Sequence, residues 1–152
     1  MNVQSYLDEL GVNYRLSQHP TAYTAQDLAS VEHIPGRQVI KAVIVKADGR
    51  FVMCALPASY QVDLDALCRQ LEAQEVKLAD EQKLTELFPD CELGAAPPFG
   101  RLYNMPTLMD ESLTADARVT FPAGTHRDAI TMSLTEYRRV AQPEMGYFGR
   151  HL

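Results

Sequence analysis

The chain has 152 residues, enough for one domain with a substantial hydrophobic core. Hydrophobic residues make up 46% and charged residues 22%, ordinary for a globular protein, and the net charge is −6. That acidic balance excludes a general nucleic-acid binder gripping through a broad basic surface, while leaving room for local recognition of one RNA end.

Val3, Tyr6, Leu7 and Leu10 share one helical face, so a helix is predicted over residues 3–10, stopped by Gly11. A short strand follows at residues 14–17, and His19-Pro20 then breaks regularity. Thr24 is a predicted N-cap with Asp27 in the first turn of a helix that ends near His33, before Pro35-Gly36. Strands are predicted at 39–46 and 51–55, joined by Ala47-Asp48-Gly49-Arg50, whose Asp-Gly pair is a hairpin signal. Helices are predicted at 63–73 and 79–88, with a short strand around Val76 between them. Residues 91–100 form a loop of glycine, proline and small residues. Leu102-Tyr103 and residues 107–109 read as strands, and 119–122 pairs with 129–132 across Ala123-Gly124-Thr125-His126. A helix at 133–140 closes the pattern with a Ser133-x-x-Glu136 capping box, and the tail after Pro143 reads as irregular. Short strands interrupted by helices, without regular βα alternation, predict an α+β fold with a mixed or largely antiparallel, curled sheet.

Cys54, Cys68 and Cys91 are odd in number and form no CxxC, so neither a disulfide framework nor a structural zinc site is expected. His19, His33, His126 and His151 show no paired metal-ligand spacing. The amino terminus lacks a basic start followed by a long apolar run, and no segment approaches bilayer-spanning length. These features point to a soluble protein of a reducing cytoplasm.

Lys41 stands out as a charge inside an apolar strand. Val39, Lys41, Val43 and Val45 share one face, and Ile40, Ala42 and Ile44 the other, so neither face looks solvated. An ammonium there needs a counter-charge, acceptors or a wet cleft, and a substrate pocket supplies all three. The plainer alternatives are a strand that begins at Lys41, or a stem that snorkels to the edge. Arg37, Lys46 and Arg50 lie nearby and serve equally well as solvated strand ends.

Other residues can carry chemistry. Glycines and prolines in residues 94–100 fix a loop shape in which backbone N–H groups approach a ligand and stabilise an oxyanion, although such loops usually just turn a corner. His126 on a turn can titrate or donate near neutral pH. Hydroxyls at Thr21, Tyr23 and Thr24 lie beside His19, though capping explains Thr24 without any ligand. No G-x-G-x-x-G, Walker or G-x-S-x-G pattern occurs. Cys54, in an apolar strand, reads as packing rather than as a nucleophile.

Three segments in this order resemble a known family: Val39-Ile40-Lys41-Ala42-Val43-Ile44-Val45-Lys46 with Asp48-Gly49; Gly94-Ala95-Ala96-Pro97-Pro98-Phe99-Gly100; and Phe121-Pro122-Ala123-Gly124-Thr125-His126 before Ile130 and Met132. Together with Thr21-Ala22-Tyr23-Thr24-Ala25-Gln26-Asp27, they resemble the YbaK-like, prolyl-tRNA synthetase-associated editing domain, over about residues 3–140. The resemblance implies a single editing domain over residues 1–152, with a central mixed, partly barrel-like sheet and surrounding helices. It implies trans-acting hydrolysis of the ester between a small amino acid and the terminal adenosine of a mischarged tRNA. Lys41 matches the family lysine that places the terminal adenosine or its phosphate. Gly94 through Pro98 match the G-x-x-x-P loop that holds the aminoacyl group and its carbonyl. Lys41 and Gly94 are thus the expected catalytic positions, and Thr24, Ala95, Pro98, Phe99, Gly100 and His126 the expected substrate contacts. No metal or organic cofactor is expected. The expected partners are the tRNA acceptor end and an aminoacyl-tRNA synthetase, with no membrane and no DNA. The competing reading is a non-catalytic module on the same scaffold, binding an amino-acid-like ligand or a synthetase.

Overall fold

Side-chain oxygens cap all five α-helices in the computed structural model, which describes residues 2–152. Asn2 accepts from Ser5 N (2.8 Å) at α1 (Val3–Glu9), and Thr24 from Asp27 N (3.0 Å) at α2 (Ala25–Val31). Asp63 caps α3 (Leu64–Leu71), Asp80 caps α4 (Glu81–Leu87) and Ser133 caps α5 (Leu134–Ala141) in the same way. Each such bond satisfies an orphan helical N–H and stabilises by about 1 kcal/mol.

Ten strands follow the apolar runs: β1 (Arg15–Gln18), β2 (Ile40–Ala47), β3 (Arg50–Pro57), β4 (Tyr60–Val62), β5 (Val76–Leu78), β6 (Thr107–Asp110), β7 (Arg118–Pro122), β8 (Asp128–Ser133), β9 (Glu144–Gly146) and β10 (Gly149–His151). The central sheet runs β5-β2-β3-β6-β9, antiparallel through β3 and parallel from β3 to β9. A second sheet, β1-β8-β7, is antiparallel, and β4 pairs with β10. The β2–β3 hairpin turns through Asp48 (φ 48°) and Gly49 (φ 87°), the paired positive angles that match strand twist. A parallel bridge from Val39 to Thr120 brings the two larger sheets together at the start of β2, without closing a barrel.

Both faces of the β2–β3 hairpin are covered. Val45, Cys54 and Leu56 pack with Leu67 of α3 and Phe148, while Ile44 and Met53 pack with Leu84 of α4 and with Phe88 at its end. Ile40 and Ala55 join the largest core cluster, with Leu7, Phe99, Phe121 and Tyr137. The α+β reading and the five helices hold.

Two local expectations are corrected, and one strand is added. Leu102-Tyr103 belongs to a 3₁₀ turn, Gly100–Tyr103, ended by Asn104 at φ 58°. A Cβ on Gly100 would lie 2.5 Å from Met105 O, so the chain folds back on itself there instead of extending. The tail is ordered as β9 and β10, because the buried Asp110 carboxylate accepts from Phe148 N (2.9 Å) and Gly149 N (2.6 Å) and Phe148 enters the core. β4 carries no strand signal of its own and forms because β10 supplies its partner. The mixed central sheet holds, and the two larger sheets, joined by one isolated bridge among the described residues, do not close into a barrel.

Candidate functional site

Three loops and one strand enclose a cleft of about 210 Å³. The strand is β2, contributing Lys41, Ala42 and Val43. The segment entering α2 contributes His19, Ala22, Tyr23, Thr24, Ala25 and, one turn into the helix, Leu28. Gly94 comes from the loop after α4, and Pro122, Thr125 and His126 from the β7–β8 turn. A smaller cavity of about 50 Å³ lies on the far side of Ala42 and Gly94, against Ile44, Leu84, Phe88 and Ala96.

Backbone hydrogen bonds stitch these loops together. Glu92 N donates to Gly124 O (2.8 Å) and Gly124 N to Ala95 O (2.9 Å), two rungs that tie the glycine loop to the β7–β8 turn. Ala22 N donates to His126 O and His19 N to Arg127 O, each at 2.9 Å, which brings in the segment before α2. The Glu92 carboxylate accepts from His126 N at 2.7 Å. The cleft wall is therefore a network of main-chain bonds, less mobile than three free loops would be.

Lys41 is half-buried and has no ion-pair partner among the described residues. Burial lowers its pKa below the ordinary lysine value. A partly desolvated, unpaired cation is costly to keep, and such groups cluster at functional sites. Lys41 is the second residue of β2, opposite Leu56, so the strand begins one residue before the lysine rather than at it.

Gly94 has φ 86°, a left-handed backbone that glycine adopts without strain. It is exposed to the cleft, and a Cβ there would lie 3.7 Å from Tyr23 O and 3.8 Å from His126 Cε1. Thr24 lines the cleft and caps α2 as well. The structure thus brings Lys41, Gly94, Thr24 and His126 to one cleft.

Ala95, Pro98, Phe99 and Gly100 lie behind the loop and do not line either cavity. Ala95 and Phe99 are fully buried. The Pro98 carbonyl accepts from Tyr137 OH at 2.8 Å, and Gly100 N donates to Thr107 Oγ1 at 2.9 Å. Phe99 stacks edge-on against Phe121 and Tyr137, both at 5.3 Å between centroids. The second half of the loop is an anchor that holds the first half in place.

Sequence reasoning gave Tyr23 only a hydroxyl. Its ring is 70% exposed at the cleft mouth and lies 5.0 Å from the His126 ring. His19, at the break before α2, also lines the cleft. Its Nδ1 is 2.7 Å from Pro20 O, which requires the proton on Nδ1, while Nε2 has no partner among the described residues. The run of small residues around Tyr23, all beside a helix cap, was the available signal. Cys54 is fully buried and its thiol is pushed up to about 12 by desolvation, which removes it as a nucleophile. Among the described residues no group of three His, Cys, Asp or Glu side chains is arranged to hold a metal ion, and no helix is long and apolar enough to cross a membrane.

Residues 19–140, which contain every cleft residue named above, match the family of aminoacyl-tRNA editing domains. The chain belongs to that family. A curated relative, the "Multifunctional Ser/Thr-tRNA deacylase ProXp-y" of Escherichia coli K12, is 26% identical over 149 residues, spanning 95% of this chain and 89% of the relative. Among solved structures, a hypothetical protein superposes with a TM-score of 0.88 at 17% identity, covering 97% of this chain and 99% of its own. A candidate trans-editing enzyme for prolyl-tRNA synthetase gives 0.86 at 20% identity, covering 97% and 94%. These structural likenesses establish the YbaK-like α+β fold.

Proposed function

We propose that this chain, as one editing domain over residues 1–152, hydrolyses the ester of mischarged aminoacyl-tRNA in trans and releases a small amino acid. The observation that carries the reading is the unpaired Lys41 ammonium in a cleft of otherwise uncharged or neutral-capable side chains, within a chain of the editing family. The name of the Escherichia coli relative specifies seryl and threonyl esters, and a cleft of about 210 Å³ suits side chains of that size.

An aminoacyl ester is already activated, so no side-chain nucleophile is needed. Water attacks the carbonyl carbon, assisted by the neighbouring ribose hydroxyl of the substrate, and the ribose oxygen leaves with the proton. The chain supplies orientation and charge. Lys41 holds the terminal nucleotide through its phosphate or ribose. The Ala95 amide is committed to Glu92 O, and the Gly94 peptide, which lines the cleft, donates to the ester carbonyl. Tyr23 and His126 form an aromatic lip against which the terminal base stacks.

Two variants test these roles. Tyr23→Ala removes the stacking face, worth about 1–3 kcal/mol per base, so KM is expected to rise about tenfold or more with thermal stability unchanged. An unchanged KM removes Tyr23 from the site. Gly94→Ala places a Cβ on a left-handed backbone at a cost of about 1–2 kcal/mol. Turnover is expected to fall with KM less affected, because the displaced peptide serves the ester carbonyl.

The function itself is tested on a panel of tRNAs charged with alanine, serine, threonine and larger amino acids. At least one small aminoacyl ester is expected to be cleaved well above its spontaneous rate, with larger ones spared. Thermal stabilisation by aminoacyl analogues with no cleavage of any panel member would instead identify a binding module.

A further inference from the structure

The edge of β2 that faces the cleft has a gap one residue wide. β2 pairs with β3 along its whole length, but with β5 only from Val45 to Ala47. On that outer edge Ile44 O accepts from Ala79 N (3.0 Å), and beyond the strand's end Asp48 N donates to Glu75 O (3.0 Å). Backbone N–H and C=O groups of one residue point to the same side and alternate along a strand. Even-numbered residues of β2 therefore direct both groups to the outer edge. At the other end, Val39 N donates to Gly36 O (3.2 Å) and Val39 O accepts from Ala58 N (2.8 Å), so its parallel bridge to Thr120 of β7 occupies the outer edge beside Ile40. Between these two covered stretches lies Ala42, where no strand of the described residues is paired on the outer side. Ala42 is also, with Gly94, one of the two residues that line both cavities.

We infer that the unpaired backbone of Ala42 is the recognition element for the α-amino-acid moiety of the substrate. This rests on the deacylase reading of the cleft. In an antiparallel ladder a residue meets its partner through two bonds, its N–H to the partner's C=O and its C=O to the partner's N–H. An aminoacyl ester carries the same two groups on one Cα: an ammonium that donates and a carbonyl that accepts. It can occupy the gap as a single residue of a missing strand. The Ala42 carbonyl then accepts from the α-ammonium, and the Ala42 N–H donates to the ester carbonyl from the side opposite Gly94. A backbone carbonyl also gives the α-ammonium an acceptor in a cleft whose Lys41 repels it. Both contacts are independent of the side chain, so α-amino acids of differing side chain share one anchor. Pinning the ammonium and carbonyl also fixes the hand at Cα, since inversion exchanges the side chain with hydrogen.

The test uses the full-length ¹⁵N-labelled protein and three stable adenosine derivatives, each amide-linked at the 3′ position: L-alanyl, D-alanyl and propionyl. The L-alanyl compound is expected to bind at least tenfold more tightly than the other two. Its binding is expected to move the Ala42 amide resonance downfield and to slow its hydrogen exchange. Equal affinity of the propionyl compound, or an unmoved Ala42 amide at saturation, overturns the inference. Cleavage of mischarged tRNA accompanied by either of those results leaves the deacylase reading standing and removes only the role of Ala42. Binding with the expected pattern but no cleavage retains the anchor and removes catalysis. Failure of all three compounds to bind, with no panel member cleaved, removes both.

Discussion

Lys41→Met is expected to lower deacylation by about 10²–10³-fold, the loss typical of removing one preorganised charged or hydrogen-bonding group from a water-poor site. The variant is expected to melt no lower than the native chain. Methionine keeps the length of the stem, and the ammonium it replaces is partly desolvated and unpaired. The sign follows from linkage. Folding lowers the Lys41 pKa, so folding disfavours the protonated form, and the penalty operates at every pH below the lowered value. As pH rises from the lowered folded pKa to the ordinary lysine value, the folded state releases its proton before the unfolded state does, and the penalty fades across that window. The stability advantage of Lys41→Met is therefore expected at neutral pH and should shrink in alkaline solution. Activity above the spontaneous rate should fall on the alkaline side earlier than an ordinary lysine would allow. Thermal melts at two pH values and single-turnover hydrolysis check both parts. A variant that loses activity and stability together would make Lys41 a structural residue.

Phe99→Ala is expected to have the largest effect on stability, about 3–5 kcal/mol. Phe99 is fully buried and meets Phe121, Tyr137 and Tyr6 edge-on, at 5.3, 5.3 and 6.0 Å between centroids. For a chain of this size, that loss lowers the melting temperature by roughly 10 °C or more, against a total stability of about 5–15 kcal/mol. Activity per folded molecule should fall as well. Phe99 follows Pro98, whose carbonyl is tied to Tyr137, and these anchors hold Gly94 in the cleft wall. Phe99→Leu, which keeps most of the volume, should recover much of both. A denaturant titration showing less than about 1 kcal/mol lost on Phe99→Ala would contradict the anchor role.

The same residues show what the sequence could and could not reveal. The starts of α2 and α5 were legible because Thr24 and Ser133 act locally, each three residues from the N–H it accepts. The hairpin was legible because Asp48-Gly49 can supply two positive φ angles. Lys41 was legible because a strand's two-residue period assigns its faces without tertiary knowledge. The tail strands were not legible. They depend on an aspartate 38 and 39 residues away in sequence, and three residues are too few to show a period. The glycine-proline loop was read as one surface, whereas it divides at Ala95 into a cleft wall and a core anchor. That division depends on Tyr137, which its own helix presents only as another apolar position. Tyr23 and His126 meet because three loops converge, and no local pattern encodes that meeting.

A crystal structure with an amide-linked L-aminoacyl adenosine 5′-phosphate addresses the central proposal most directly. Lys41 Nζ is expected within about 3 Å of a phosphate or ribose oxygen, with the acyl carbonyl against Gly94 and the base along Tyr23. A ligand seated elsewhere, or an ammonium left facing open solvent while the compound occupies the cleft, would contradict it.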